Sequence, residues 1–131
     1  MSCLFRRIPH YFHHADGRGE IAGLLNTGDW REVNLITSDA GVTRGRHYHL
    51  ETEECFVILS GRIRVIFRKP LAGDQWCKAE QIFEVGDVFS VPPLVEHTFD
   101  ILAKAQWINL LSRPVDPNQP DFHHYTIDTA R

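Results

Sequence analysis

From residue 20 to residue 111 the chain alternates short runs rich in β-branched and aromatic residues with Gly, Pro, Asp and Asn, and it sustains no 3.6-residue apolar period. The pattern predicts an all-β fold, with strands over 20–25, 33–37, 44–49, 55–59, 62–68, 77–83, 88–91, 97–101 and 105–111. Ile63, Val65 and Phe67 share one face of their strand, and Ser60-Gly61 ahead of them predicts a tight hairpin turn from the strand before. Gly73-Asp74 and Gly86-Asp87 mark two further turns. Pro92-Pro93, which lacks two backbone donors, is expected to end the strand that begins at Val88. Three prolines between Arg113 and Pro120 predict a connection to a last extended piece over 122–127.

Length fits one domain over 1–131, with a barrel core over about 16–112 and an extension over 113–131. There is no apolar run long enough to cross a bilayer and no signal-peptide stretch after Arg6-Arg7, so the expectation is a cytoplasmic protein without membrane insertion. Cys3, Cys55 and Cys77 are odd in number and lack a CxxC pair, and they are read as reduced thiols. A net charge of −3 with mixed signs excludes a large nucleic-acid footprint. It still allows a nucleotide, whose phosphates need only a local pair of arginines.

The compositional anomaly is eight histidines. His47 and His49 are two apart, so on a strand both imidazoles project from the same face while Tyr48 faces the other way. Glu54 follows after a short polar stretch that can bend its carboxylate back to the same place, and His97 on a later strand can close the set. Three imidazoles and a carboxylate suit one divalent transition metal: Zn²⁺, Fe²⁺, Mn²⁺ or Ni²⁺.

Written as Gly41-x5-His47-x-His49-x4-Glu54-x6-Gly61, the spacing resembles the first cupin motif, and Gly86-x5-Pro92 followed by His97 resembles most of the second. Leu94 stands where that pattern usually has Gly, and Ile101 where it usually has Asn. The resemblance implies a double-stranded β-helix, or jelly-roll, barrel. A closer one lies in Gly41-Val42-Thr43-Arg44-Gly45-Arg46-His47-Tyr48-His49, in Glu54 to Gly61 and in Asp116 to Asp121. These stretches look like the C-terminal cupin domain of CapF-type bifunctional UDP-sugar enzymes of capsule synthesis. More distantly, Asp16-Gly17-Arg18-Gly19 and Arg44 to His47 resemble dTDP-4-dehydrorhamnose 3,5-epimerases and dTDP-4-keto-6-deoxyglucose ketoisomerases.

These resemblances imply a metal-dependent epimerase or isomerase, with zinc first among the metals. It would act on a nucleotide-linked 4-keto-6-deoxy sugar for surface polysaccharide and would be a homodimer. They also imply substrate contacts from Arg18, Arg44 and Arg46. Removing a proton next to a ketone creates an oxyanion, for which the metal and Arg44 are the expected partners. The base would be Tyr48, Glu53, Glu96 or a metal-bound hydroxide, with Tyr48 the poorest on strand geometry. Two other readings stand beside this one: a cupin that binds a sugar or small acid without chemistry, and an iron-dependent dioxygenase. Cys55, next to Glu54, is expected to point away from the site.

Overall fold

The structure, a computed structural model, describes residues 4–125. Nine strands run in the order β1 (Arg6–Arg7), β2 (Phe12–Asp16), β3 (Gly19–Gly23), β4 (Glu32–Ser38), β5 (Thr43–His47), β6 (Glu54–Pro70), β7 (Trp76–Glu84), β8 (Val88–Val91) and β9 (Glu96–Leu111), and there is no helix among the described residues. Seven of them form one antiparallel sheet of order β1-β8-β6-β9-β4, with β5 on β9 and β7 on β6. The other two, β2 and β3, make a hairpin of their own.

The long central strands β6 and β9 pair along their whole length. Each is a single bent strand where the sequence pattern predicts two. Ser60-Gly61 is therefore not a hairpin turn. The register shifts around Ser60 and Arg62, and Gly61 adopts φ +87° at the bend. A glycine is required there twice over: the left-handed backbone disfavours a side chain, and a Cβ would lie 2.3 Å from the Lys104 carbonyl oxygen. The bend divides the sheet into two facing halves. Residues 54–58 of β6 lie with β8, the end of β9 and β4, whereas residues 62–70 lie with β7, the start of β9 and β5.

Between the halves lies the core. Strand alternation sends Phe56 and Ile58, then Ile63, Val65 and Phe67, inward to meet Phe83, Phe89, Phe99, Ile101 and Trp107. Phe83 stacks on Phe89 at 3.8 Å and Phe99 on Trp107 at 5.7 Å between ring centroids. The turns at Gly73-Asp74 and Gly86 and the stop after Val91 fall where the sequence places them. The strand predicted over 20–25 is β3, and its partner β2, which carries His13 and His14, has no apolar alternation to announce it. From the last segment, 122–127, the described part makes one bridge, His123 to Tyr48. Cys55 and Cys77 are free thiols, and Cys3 lies outside the described residues.

Because the bend tolerates no Cβ, Gly61→Ala should cost at least ~2 kcal/mol of unfolding free energy, the sum of left-handed strain and displaced backbone. Urea denaturation measures it. A loss below ~0.5 kcal/mol would mean that the two long strands do not depend on this bend.

Candidate metal centre

The segment that carries His47 and His49 begins where β5 loses its register. Gly45 pairs with Thr98 and His47 with His97, so Arg46 is an extra residue, bulged out with φ +63°. The bulge makes His47 and His97 a directly opposed pair on the inner face. Beyond His47 the chain leaves the sheet, with His49 buried just past its edge, and re-enters at Glu54 opposite Leu111. His47, His49, Glu54 and His97 thus converge from three strands and the segment that joins two of them, and their donor atoms all lie within 4.8 Å of one another.

Hydrogen bonds around the cluster set the tautomers. His97 Nδ1 donates to the Val95 carbonyl at 3.0 Å and His49 Nδ1 to the Asp121 carbonyl at 2.5 Å. In the neutral rings the Nε2 lone pairs then point inward. They meet Glu54 Oε1, at 2.6 Å from His49 and 2.7 Å from His97. At His97 this close approach is not a hydrogen bond, and its buried Nε2 has no other hydrogen-bond partner. Three acceptors facing one point need a cation or an added proton between them. Asn109 Nδ2 donates to the other Glu54 oxygen at 2.8 Å, so only one oxygen of the carboxylate is turned to the imidazoles.

Electrostatics follow from the same contacts. Burial alone would raise the Glu54 carboxyl, but the charge of His97 when protonated, and the hydrogen bond and charge of His49, hold it well below the usual carboxylate range. For His49, burial works downward and is outweighed by Glu54, so its imidazole is raised. His47 is pushed down to about 4, first by burial and then by His97. A divalent cation would take the place of the proton shared between Glu54 and its imidazole neighbours, and the donor set of three imidazoles and one carboxylate fits such an ion.

The cluster opens into a cavity of about 190 Å³ lined also by Asn34, Arg44, Phe56, Trp107 and Phe122. Arg44 stands opposite Phe99 on the inner face, and its Nε donates to Ser38 Oγ. Trp107 adds a buried Nε1 donor without a partner. A second cavity of about 780 Å³, between residues 49–52 and 111–123, adjoins the first through Leu111, Val115 and Phe122.

Other predicted residues are not brought to the cavity. Glu96 precedes His97 and so faces the outer side of β9, where the register sets it opposite Arg68 in a buried ion pair. Tyr48, between His47 and His49, turns outward and stacks on Tyr125 at 4.0 Å. Glu53 lies on the side of Cys55, whose thiol is pushed up to about 11 by burial and by that carboxylate. Arg46 is carried outward by the bulge. Arg18 sits at the exposed tip of the β2–β3 hairpin, bonded to Asp16. Sequence reasoning missed Asn109, although a lone amide in the alternating stripe Trp107-x-Asn109-x-Leu111 is a signal. It also missed Asp121 and Phe122, for which proline-rich sequence offers none. At the two departures from the motif, Leu94 takes φ +75° and Ile101 packs in the core.

A bent, all-antiparallel jelly-roll barrel with a His/Glu cluster inside one end defines a cupin. Residues 14–123 match the model of the polysaccharide biosynthesis C-terminal domain, and the chain belongs to that family. Over 60 residues it is 40% identical to the UDP-2-acetamido-2,6-beta-L-arabino-hexul-4-ose reductase of Pseudomonas aeruginosa, a match covering 46% of this chain and 16% of that protein. The chain thus accounts for a small part of its curated relative. Among solved structures, QdtA, a sugar 3,4-ketoisomerase from Thermoanaerobacterium thermosaccharolyticum in complex with TDP, superposes with TM-score 0.72 at 19% identity, covering 96% of this chain and 91% of that one. The dTDP-4-dehydrorhamnose 3,5-epimerase of Elizabethkingia anophelis gives 0.76 at 17%, covering 90% and 75%. The capsular polysaccharide assembling protein CapF of Staphylococcus aureus gives 0.60 at 26%, covering 88% and 32%. The first two, below a quarter identical, show the fold.

Protein purified without a His-tag is expected to carry about one transition-metal ion per chain by elemental analysis, and Glu54→Ala or His97→Ala to lose most of it. Full retention in both variants would remove these residues from the ligand set.

Proposed function

We propose that the chain is a metal-dependent epimerase or isomerase for a nucleotide-linked 4-keto-6-deoxy sugar in surface polysaccharide synthesis. The observation that carries this reading is the orphaned, inward-facing Nε2 of His97 beside the Glu54 carboxylate, in a cavity that also holds Arg44. His47, His49, Glu54 and His97 would hold the ion, with zinc the first candidate and iron, manganese or nickel the alternatives. When bound, the ion supplies Lewis acidity toward a carbonyl oxygen. Arg44 supplies a fixed positive charge at the mouth, and Trp107 offers a buried N–H to a ligand oxygen. At about 190 Å³ the inner cavity is smaller than the roughly 300–1,000 Å³ of a drug-sized pocket. It therefore admits a compact group such as a sugar ring, and the nucleotide would extend into the adjoining groove.

A second reading is favoured by where the base candidates fall. Glu53, Glu96 and Tyr48 all turn away from the cavity, which leaves a sugar- or small-acid-binding cupin without proton chemistry as the alternative. Iron-dependent oxygen chemistry has no specific observation in its favour.

The reading includes a homodimer and a cytoplasmic location, the latter in keeping with the free thiols Cys55 and Cys77. An isolated two-stranded ribbon is marginal in water, yet β2–β3 stands apart from the sheet with Phe12 and Ile21 exposed, and Val33 and Leu35 are exposed on β4, which among the described residues pairs with β9 alone. A second copy covering these residues would stabilise both. Sedimentation is expected to show a dimer that Ile21→Glu with Val33→Glu turns into monomer; a monomeric wild type would refute it.

In D₂O, a 4-keto-6-deoxy nucleotide sugar incubated with the metal-loaded protein should gain deuterium next to the ketone. Chelation should slow the exchange on the order of 10²-fold or more, and Arg44→Ala should slow it while metal stays bound. Binding without deuterium at any carbon, across UDP- and dTDP-linked substrates, would leave the binding-module reading in place. Oxygen-independent exchange would exclude the dioxygenase.

A further inference from the structure

After His47 the ligand-bearing chain has left β9, and residues 48–52 need hydrogen-bond partners that the sheet does not supply. The segment after the barrel supplies them. Tyr48 exchanges both backbone hydrogen bonds with His123, at 2.9 and 3.0 Å. The Asp121 carboxylate accepts from the amides of Leu50, Glu51 and Thr52 at 2.8, 2.9 and 3.1 Å and from the Thr52 hydroxyl at 3.0 Å. Its own backbone carbonyl accepts from His49 Nδ1. Phe122 lies with its ring centroid 5.2 Å from that of His47 and 5.3 Å from that of His49, and His124 Nδ1 donates to the Arg46 carbonyl. Farther along, Tyr125 stacks on Tyr48 and donates to the Leu94 carbonyl at 2.5 Å, while the Leu94 amide donates to the His49 carbonyl.

One residue thus does two things. The Asp121 side chain fixes the backbone that carries His49, and the Asp121 carbonyl fixes which nitrogen of His49 bears the proton. We infer that residues 121–125 form a clamp on the metal centre and that Asp121 is the positioning residue through which it acts, so that ion retention and docking of this segment are one coupled equilibrium. The inference rests on the ligand set proposed above and adds to it a residue some 70 positions downstream of His49. Coupling is reciprocal: whatever the clamp contributes to metal affinity, the metal contributes to clamp docking.

Two measurements on the full chain test this. The first is a Zn²⁺ titration against a chelating dye, run with wild type, Asp121→Ala and, as a distant control, Arg62→Ala. Asp121→Ala keeps the residue-121 carbonyl on His49 Nδ1 and removes the carboxylate that anchors residues 50–52, so the expected loss of metal affinity is about 10-fold, the lower end of the range typical of outer-shell changes, with none for the control. With Co²⁺ in place of Zn²⁺, the ligand-field spectrum of Asp121→Ala should also change, which a general loss of stability would not produce. The second needs no variant, so it stands even if Asp121→Ala fails to fold. In wild type, Zn²⁺ should slow amide hydrogen exchange at Leu50, Glu51, Thr52 and His123 by at least 10-fold. Unchanged affinity and Co²⁺ spectrum in Asp121→Ala would overturn the clamp, and so would exchange at these amides that ignores the metal. A wild type that takes up no metal would instead overturn the ligand set, and the clamp with it.

Discussion

The centre depends on a carboxylate held inside an aromatic barrel. Glu54 is 5% exposed, at the inner end of a strand whose next inward residue is Phe56. A charge in that position costs several kcal/mol unless it is matched. Its surroundings are arranged to match it on one side only: Asn109 takes one oxygen, and two imidazole nitrogens crowd the other. Those nitrogens are lone-pair donors because backbone carbonyls hold the ring protons elsewhere. An excess of electron pairs at one point is the property that suits this cluster to a cation, and the bulge at Arg46 and the opposed pair His47 and His97 both contribute to it.

That His47, His49, Glu54 and His97 come together was legible because it depends on spacing. An i, i+2 histidine pair shares a face in any extended strand, and Glu54 and His97 sit at fixed offsets within a pattern of turns. The flanking residues were legible in the same way. Glu53 and Glu96 immediately precede Glu54 and His97, and alternation already directs them outward; considering them as bases gave charge more weight than geometry. What could not be read was irregular. Whether Gly61 turns the chain or bends it depends on what lies opposite, and that is Lys104 and Ala105, over 40 residues away. Likewise, nothing in a run of prolines says that Asp121 will reach three amides of a distant loop.

Arg68 and Glu96 show how the two sides of one sheet divide their labour. They are directly opposed across β6 and β9 on the outer face, with Arg68 also over the Trp76 ring at 4.6 Å, while Phe67 and His97 occupy the same pair of strands on the inner face. The outer pair braces the two strands immediately behind the cluster. A charged residue next to His97 is thus used for structure, and adjacency in sequence to the cluster does not place a side chain in its cavity.

Chain order gives β9 a further significance. It is the partner of β4, β5 and β6, all of which precede it, and it contributes His97 to the centre. During synthesis, therefore, Ile36, Phe56, Val65 and Phe67 emerge before the strand they pack around exists. Until residue 111 has left the ribosome there is no barrel to receive them, and the nascent apolar strands must be kept from pairing with one another or with those of a neighbouring chain. A fold whose central strand follows the strands it pairs with cannot begin to close until that strand is complete.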